Sequence, residues 1–348
     1  NWFNYIAEIM KFSLKISIIL VFFSGGKIVA QDGQLSQFYA APLIINPALT
    51  GNTIQDRFSL NYRNQWPAIS NSKPFTTYAC SYEHNFSDYN SSVGALVYHD
   101  RAGPAGLRTT NVLFSYAYRV KVTRRFSFKP SLQFGITNRH LDFDELVFND
   151  QLQTSSATSS ADLVYRSRSR YSMDVNAGVI GYSENYWFGV SLHHMNRPDI
   201  SLVGNGARIE PKFGAQGGWK IPIEKDIKHR TVSQVMIAVN YKHQSTRDQM
   251  DIGVYYNYLP IYMGLWFRGI PLKKADPVLT NNDAVILVLG YKKNGFSIGY
   301  SYDVTISKLT SSNSGGAHEL STSLELVSRK NLNKRRKRSR FMIPCPRF

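Results

Sequence analysis

The feature that most constrains the fold is an alternation of apolar and polar side chains along nearly the whole chain. From residue 112 to 120, one parity is entirely large and apolar: Val112, Phe114, Tyr116, Tyr118 and Val120. Successive side chains of a β-strand point to opposite faces, so one face of each such strand is apolar and the other tolerates water. Behind a secretory leader, many such segments are typical of a transmembrane antiparallel β-barrel. This fold favours a conduit, an anchor or a receptor over a soluble enzyme.

The first thirty residues have the organisation of a cleavable leader. Met10 and Lys11 open a basic region, residues 16–23 form a short apolar stretch, and Ala30 loosely fits a cleavage site. The apolar stretch is too short to span a bilayer, which favours a signal peptide over a membrane helix. We therefore assign residues 1–30 to upstream residues plus a signal peptide and expect the mature chain to start near Gln31. The mean hydropathy of −0.27 also excludes a bundle of membrane helices.

The positive charge is concentrated at one end of the chain. The formal net charge is +17, and residues 328–348 alone carry nine Lys or Arg and no acidic residue. The body of the mature chain is therefore only mildly basic, and nucleic acid is not an expected partner. Aromatic residues make up 13% of the chain, which suits the two aromatic girdles of a membrane barrel.

The sequence gives no sign of a disulfide, a metal site or a cofactor. Cys80 lies on the apolar parity of its predicted strand, and Cys345 lies near the end of the chain. Those positions make a disulfide between them implausible. The sequence contains neither a CxxC pair nor a cluster of His and Cys residues, so we expect no metal site and no cofactor.

Alternation and turn residues predict fourteen strands, an even number as a closed antiparallel barrel requires. We place them at 56–66, 75–87, 91–101, 107–122, 124–139, 171–183, 185–195, 208–221, 230–243, 246–258, 260–270, 282–293, 295–306 and 316–327. The corresponding regions are an irregular N-terminal periplasmic or plug segment at 31–55, the barrel at 56–327, and a basic tail at 328–348. The tail is either solvated and disordered or held on the periplasmic side against acidic partners or anionic headgroups.

Connections of two lengths join these strands. Short turns include Asn294-Gly295, a strong hairpin signal, and longer links fall at 140–170, 196–207, 271–281 and 307–315. Short turns on one side and long loops on the other are usual in membrane barrels.

Parity predicts a charge cluster inside the barrel. On the first strand, Phe58, Leu60 and Tyr62 take the outer face, which leaves Ser59, Asn61, Arg63 and Gln65 inside. Closure of the barrel brings the first and last strands together, so we expect Arg63 near Glu319 or Glu325, or near Asp303 one strand further. This cluster is either a latch or substrate contact, or an interior charge pair that satisfies buried polar groups.

A catalytic role receives little support. The histidines His193, His194 and His318 and many serines are present, but no spacing marks a nucleophile and no GxSxG motif occurs. We therefore do not expect an enzyme.

Several short blocks follow one another along the chain: Asn46-Pro47-Ala48-Leu49-Thr50-Gly51, Tyr62-Arg63-Asn64-Gln65-Trp66, Ser301-Tyr302-Asp303, Gly316-Ala317-His318-Glu319 and Cys345-Pro346-Arg347-Phe348. Together and in this order, they resemble the PorP/SprF family of outer-membrane proteins of type IX secretion and gliding motility. The resemblance extends from about residue 31 to 348. It implies a multi-pass barrel in the bacterial outer membrane that receives the C-terminal sorting domain of a secreted protein.

The cargo that the resemblance implies is a large adhesin, held at the cell surface for gliding. It also implies contacts with periplasmic or lipoprotein components of the secretion machinery and with outer-membrane lipid. The family-signature residues are Asn46, Pro47, Gly51, Arg63, Gln65, Trp66, Asp303, His318 and Glu319, which serve either the structure or the binding of a partner. The alternative function is a passive porin or transporter for small solutes.

Overall fold

The computed structural model describes residues 32–69, 75–103, 106–143, 146, 168–202, 206–225, 231–276, 279–307, 314–326 and 342–345. The predicted leader, most of the 140–170 link and the basic run at 328–341 lie outside these residues. None of the helices within the described ranges is long and apolar enough to cross a membrane.

Fifteen β-strands account for most of the described chain. They are β1 (Asp56–Gln65), β2 (Phe75–Phe86), β3 (Ser91–Ala102), β4 (Leu107–Tyr118), β5 (Val120–Lys121), β6 (Ser127–His140), β7 (Ser169–Tyr182), β8 (Tyr186–His193), β9 (Lys212–Lys225), β10 (Thr231–Gln244), β11 (Arg247–Tyr258), β12 (Ile261–Asp276), β13 (Leu279–Lys293), β14 (Phe296–Thr305) and β15 (Ala317–Leu326).

The strands form one closed antiparallel barrel in which each strand pairs with its neighbours along the chain. The first and last strands pair from Asp56↔Leu326 to Gln65↔Ala317, which closes the sheet. The two-residue β5 continues β4 along β6, so the wall contains fourteen strands. This confirms the predicted fold class and the predicted strand number.

The two ends of the barrel differ, as the sequence predicted. At the short-turn end, where β1 begins and β15 ends, tight turns join strand pairs; Asn294 and Gly295 both have positive φ, as a type I′ hairpin requires. All the predicted long links fall at the opposite, long-loop end. The 271–281 prediction was wrong in extent, because β12 reaches Asp276 and β13 starts at Leu279. Polar and basic residues in this part of the sequence break the apolar–polar alternation, although the backbone up to Asp276 and from Leu279 is extended.

The outer and inner faces follow the predicted parity. On β1, Phe58, Leu60 and Tyr62 are exposed on the outer face, whereas Ser59, Asn61 and Arg63 are buried. On β15, Leu320 and Leu324 face outward and Glu319 and Ser321 inward. Cys80 is exposed and Cys345 is buried, and neither forms a disulfide. The polar inner face of the wall is buried because other parts of the chain cover it.

An N-terminal lead, residues 33–54, lies against this inner face. It contains two 3-10 turns, Phe38–Ala40 and Pro47–Leu49, and a single α-helical turn, Pro42–Ile45. Its apolar side chains form the barrel core together with inward residues of several strands: Phe38, Tyr39, Ala40, Ala48, Leu49, Ile180, Tyr182, Trp187, Met236, Ala238, Tyr255, Tyr262, Trp266, Ile286 and Val288. The lumen therefore contains a packed hydrophobic core.

Residues 342–345 also belong to this core. Met342, Ile343 and Cys345 are buried, and the last two join the hydrophobic cluster around Phe38. The predicted solvated tail is therefore wrong for these four residues. They follow the basic run and carry apolar side chains, whose burial is favourable.

Candidate functional site

The predicted charge cluster is present on the inner face of the wall. Arg63 lies opposite Glu319 in the β1–β15 register, and its guanidinium nitrogens are 3.3 Å from a Glu319 carboxylate oxygen and 2.8 Å from an Asp303 carboxylate oxygen. The prediction for Arg63 is thus confirmed for Glu319 and Asp303. It was wrong for Glu325, which lies at the other end of β15, 3.6 Å from the ammonium group of Lys292.

Two further residues extend the cluster around the wall. Arg268 on β12 lies 3.0 Å from Asp251 on β11 and 3.1 Å from Asp303 on β14. We call Arg63, Asp251, Arg268, Asp303 and Glu319 the charge cluster. The sequence prediction missed Arg268 and Asp251, although each is a charged residue on the inward parity of its strand.

The charge cluster binds the start of the N-terminal lead. The carboxylate of Glu319 accepts hydrogen bonds from the backbone N–H groups of Ser36, at 2.6 Å, and Gln37, at 3.0 Å. The Ser36 hydroxyl donates to Asp303 at 2.6 Å and accepts from Arg63 at 2.6 Å and from Arg268 at 2.8 Å. A short polar segment is therefore held by five charge-assisted hydrogen bonds, the stronger class of hydrogen bond in proteins.

Gln37 also fixes the lead to β15. Its side-chain amide donates to the Glu319 carbonyl at 3.0 Å, and its amide oxygen accepts from the Ser321 hydroxyl at 2.5 Å. The charge cluster and the adjoining part of β15 thus attach the start of the lead to the wall.

Aromatic residues of the wall enclose the next turn of the lead. The Phe38 ring centroid is 5.0 Å from that of Trp266, and the Tyr39 ring meets Trp187 edge-on at 6.1 Å. The Arg268 guanidinium lies 5.9 Å from the Phe38 centroid, which adds a cation–π contact. Burial raises the pKa of Tyr39, so its hydroxyl stays neutral in this core.

The Asn46–Gly51 block packs against the part of the wall that lies across the lumen from the charge cluster. The side-chain oxygen of Asn46 caps the following 3-10 turn by accepting from the Ala48 N–H at 2.8 Å. Its amide nitrogen donates to the Val179 and Val190 carbonyls at 3.3 and 3.0 Å. Pro47 starts the turn and accepts from the Thr50 hydroxyl at 2.7 Å. These contacts link the lead to β7 and β8.

A second charged group holds the end of the lead at the short-turn end. Gly51 has a φ of +66° and donates its N–H to Glu83 at 2.7 Å, while Glu83 forms an ion pair with Arg57 at 2.5 Å. Lys129 donates to the Thr50 carbonyl. Arg57, Glu83 and Lys129 are all buried on the inner face, and none of them was singled out from the sequence.

Asn52 joins the lead to residues 342–345. Its side-chain oxygen accepts from the Ile343 N–H at 3.0 Å, and its side-chain nitrogen donates to the Ile343 carbonyl at 3.3 Å and to the Cys345 sulfur at 3.0 Å. The lead and residues 342–345 thus meet near the short-turn end. The Asn52 side-chain amide pairs with both backbone groups of Ile343, as a strand residue would.

The remaining signature residues are Gln65, Trp66 and His318, and none of them contacts the Asn46–Gly51 block. Gln65 accepts from Arg63 at 3.3 Å at the edge of the charge cluster. Trp66, with a φ of +58°, packs edge-on against Phe75 at the long-loop end. His318 has the outward parity of β15, where it contacts the Tyr300 hydroxyl at 2.7 Å. The structure therefore brings Arg63, Gln65, Asp303 and Glu319 together and separates them from Asn46, Pro47, Gly51, Trp66 and His318.

Comparisons with known proteins assign this chain to a family. A family model described as "Type IX secretion system membrane protein PorP/SprF" matches residues 28–324. A comparison with curated protein sequences finds no match.

Among solved structures, the chain is similar to several bacterial barrels. These include the Ralstonia pickettii toluene transporter TbuX, at 12% identity over 83% of this chain and 94% of that chain with a TM-score of 0.48. The Pseudomonas putida toluene transporter TodX matches at 10% identity over 82% and 91%, with a TM-score of 0.43. The Acinetobacter baumannii outer membrane protein Omp33 matches at 8% identity over 80% and 100%, with a TM-score of 0.42.

Proposed function

Because this chain belongs to the PorP/SprF family of type IX secretion system membrane proteins, we propose that it anchors a type IX-secreted protein at the cell surface. The protein is a closed antiparallel barrel of the bacterial outer membrane. Its family and fold are those of a secretion-associated membrane barrel and not of an enzyme class. The cargo in this proposal is a large adhesin, bound through its C-terminal sorting domain, whose retention supports secretion and gliding motility.

The observation that favours an anchor over a solute conduit is the occupied lumen. Residues from Leu35 to Ile54 are largely buried inside the wall, and Ile343 and Cys345 join them in the hydrophobic core. A solute would have to displace the lead from the charge cluster, where Glu319 and Asp303 hold Ser36. A barrel with a packed interior offers its two ends as binding surfaces, which suits the holding of a macromolecule.

The long-loop end is the surface that we assign to the cargo. Long loops of outer-membrane barrels are extracellular, and short turns are periplasmic. The loop after β8 is held by exposed ion pairs from Arg170 to Asp199, at 3.0 Å, and from Arg197 to Glu210, at 2.5 Å. We assign the short-turn end, which also carries the contact between Asn52 and Ile343, to the periplasmic or lipoprotein components of the secretion machinery.

Deletion of the gene, followed by measurement of where each type IX-secreted protein is found, tests this function. We expect one large secreted protein to lose its surface location, as measured by proteolysis of intact cells, while other type IX-secreted proteins are still exported. Complementation with the wild-type gene should restore the surface-held protein. An unchanged set of surface proteins, together with reduced uptake of a small solute, would instead support the porin alternative.

A further inference from the structure

Two arginines of neighbouring strands lie directly opposite each other on the outer face of the wall, near the long-loop end. Arg101 on β3 pairs with Arg108 on β4, and Arg108 pairs on its other side with His140 on β6. Each is four residues from an exposed apolar residue of its own strand and therefore shares its outward parity: Val97, Val112 and Ile136. We call Arg101, Arg108 and His140 the basic row.

The two arginines of the basic row lack a counter-ion. Within the described part of the chain, no acidic side chain pairs with Arg101 or Arg108, and the Nε atom of Arg101 is buried without a hydrogen-bond partner. The neighbouring acid, Asp100, has the opposite parity and accepts from the Thr77 hydroxyl on the inner face at 2.6 Å. Like charges directly opposite each other destabilise a sheet, because their Cβ atoms are only about 5 Å apart. An anion bound from outside would remove this repulsion.

Hydroxyl groups flank the basic row on both sides. On β2, the residue opposite Arg101 is Thr76. On β7, the residue opposite His140 is Ser169, whose hydroxyl lies 2.9 Å from the imidazole Nδ1. Across these five neighbouring strands the row thus consists of cationic, imidazole and hydroxyl side chains, all of which can donate to an oxyanion.

The basic row lies just beyond the apolar layer of the outer face. Toward the long-loop end, the last apolar outward residues of β3, β4 and β6 form one row: Val97, Val112 and Ile136. The next outward row is polar: His99, Thr110 and Asn138. The basic row follows, four residues or about 13 Å along the strands from the apolar row. Since charge is costly among acyl chains and the long-loop end is extracellular, this level corresponds to the headgroups of the outer leaflet.

Position and charge together select the ligand of the basic row. The row points away from the lumen, so the molecules beside it in the membrane are lipids. Both arginines are partly exposed and can be reached from that side. A guanidinium group binds a phosphate through two parallel hydrogen bonds, and anionic headgroups attract basic side chains at the membrane surface. Two guanidinium groups on directly opposite residues are close enough to share one phosphate.

We propose that Arg101 and Arg108 bind a headgroup phosphate of an outer-leaflet glycolipid of the lipid A type, with His140 at the edge of the same site. The phosphate supplies the negative charge that the described chain does not place beside these arginines, while the acyl chains of the lipid lie against the apolar rows below. This inference goes beyond the anchoring function and does not depend on it, because the site is on the outer face of the wall and requires no cargo.

Titration of the purified barrel with lipid A in a neutral detergent tests the site, and native mass spectrometry measures the fraction of barrel that carries lipid. We expect the double variant Arg101→Gln, Arg108→Gln to bind lipid A about tenfold more weakly, because it loses the charge-assisted hydrogen bonds to the phosphate. The matched control is Arg124→Gln, Arg125→Gln, which removes two exposed arginines at the short-turn end. The control should bind lipid A as the wild type does.

Two further measurements separate a binding role from a structural one. Lipid A from which the phosphates have been removed should bind the wild type about as weakly as intact lipid A binds the double variant. Without lipid, the single variant Arg108→Gln should lose its folded-barrel gel mobility at the same or a higher temperature than the wild type, because it relieves the repulsion from Arg101. Intact lipid A should raise this temperature for the wild type more than for Arg108→Gln.

Several results would overturn the inference. Equal binding of lipid A by the wild type and by a folded double variant would show that the arginines do not hold it. Equal binding of lipid A with and without its phosphates would exclude the headgroup phosphate as the ligand. Competition by inorganic phosphate at the same concentration as lipid A would exclude the lipid as its source. Unchanged lipid binding with loss of a copurified acidic protein from the double variant would assign the row to that protein instead.

Discussion

Arg63 is held by four side chains at once. One guanidinium nitrogen donates to Ser36 and Glu319, and the other donates to Asp303 and Gln65. A buried charge that loses its partner is costly, whereas an exposed one is rehydrated. The contribution of Arg63 therefore comes from the acidic groups that its removal would leave unpaired.

Replacement of Arg63 by leucine tests this role. We expect Arg63→Leu to destabilise the barrel by about 3–5 kcal/mol, because Glu319 and Asp303 lose a buried counter-ion. The matched control Arg197→Leu breaks an exposed ion pair with Glu210 and should cost less than about 1 kcal/mol. The temperature at which the gel mobility of the folded barrel is lost measures both. An unchanged temperature for Arg63→Leu would show that the charge cluster does not stabilise the fold.

Gly51 shows a constraint of a different kind, since it combines positive φ with close packing. A Cβ atom at Gly51 would lie 2.4 Å from the Cβ of Ser92, whereas one at Gly206, which has a similar φ of +64°, would meet nothing within 4 Å. We expect Gly206→Ala to cost about 1 kcal/mol from the backbone alone. Gly51→Ala should cost distinctly more. Chemical unfolding of both variants in detergent checks this, and equal losses would argue against tight packing of the lead.

At the scale of elements, the lead lies inside the barrel, and we propose that it plugs the lumen. Its attachments lie on both sides of the barrel, at Glu319 on β15 and at the carbonyls of Val179 and Val190 on β7 and β8. We expect the full-length protein to show no stable channel in planar bilayers. Deletion of residues 33–50 should give a conducting barrel. A folded deletion variant that stays closed, or a full-length protein that conducts, would contradict the proposed role of the lead as a plug.

Residues 342–345 are a second closing element, attached through Asn52. Asn52→Ala removes both hydrogen bonds to Ile343 and the contact with Cys345, so we expect Cys345 to react faster with a water-soluble maleimide. The comparison uses a Cys80→Ser background, since Cys80 is exposed on the outer face. Asn85→Ala is the control, because Asn85 binds the Thr53 carbonyl instead. Equal reactivity in the two variants would show that Asn52 does not hold the tail.

How far each element could be predicted depends on the range of its contacts. The strands were predictable because two environments, the membrane and the lumen, impose a period of two on every one of them. The partners of Arg63 were predictable because this alternation places Arg63 on the inner face and barrel closure brings the first and last strands together. The fold of the lead was not predictable, because Asn46 bonds to residues more than 130 positions away and no local pattern encodes such pairs. The burial of Ile343 was hidden by the neighbouring basic run.

At the scale of the whole molecule, an occupied barrel with two different ends suits a protein that holds a partner. The outer face is apolar and the interior is packed. We propose that the signature residues Arg63, Asp303 and Glu319 serve to attach the lead. Recognition of cargo would then depend on loop residues outside those signature blocks.

The most direct test of the central claim is affinity purification of the barrel from cells that are exporting cargo, followed by mass spectrometry. A tag inserted between β9 and β10, at the short-turn end, leaves the long-loop end free. The account predicts that one large secreted protein, with its C-terminal domain retained, copurifies at close to one copy per barrel. Recovery of a folded barrel without such a partner, from cells shown to export it, would contradict the anchoring function.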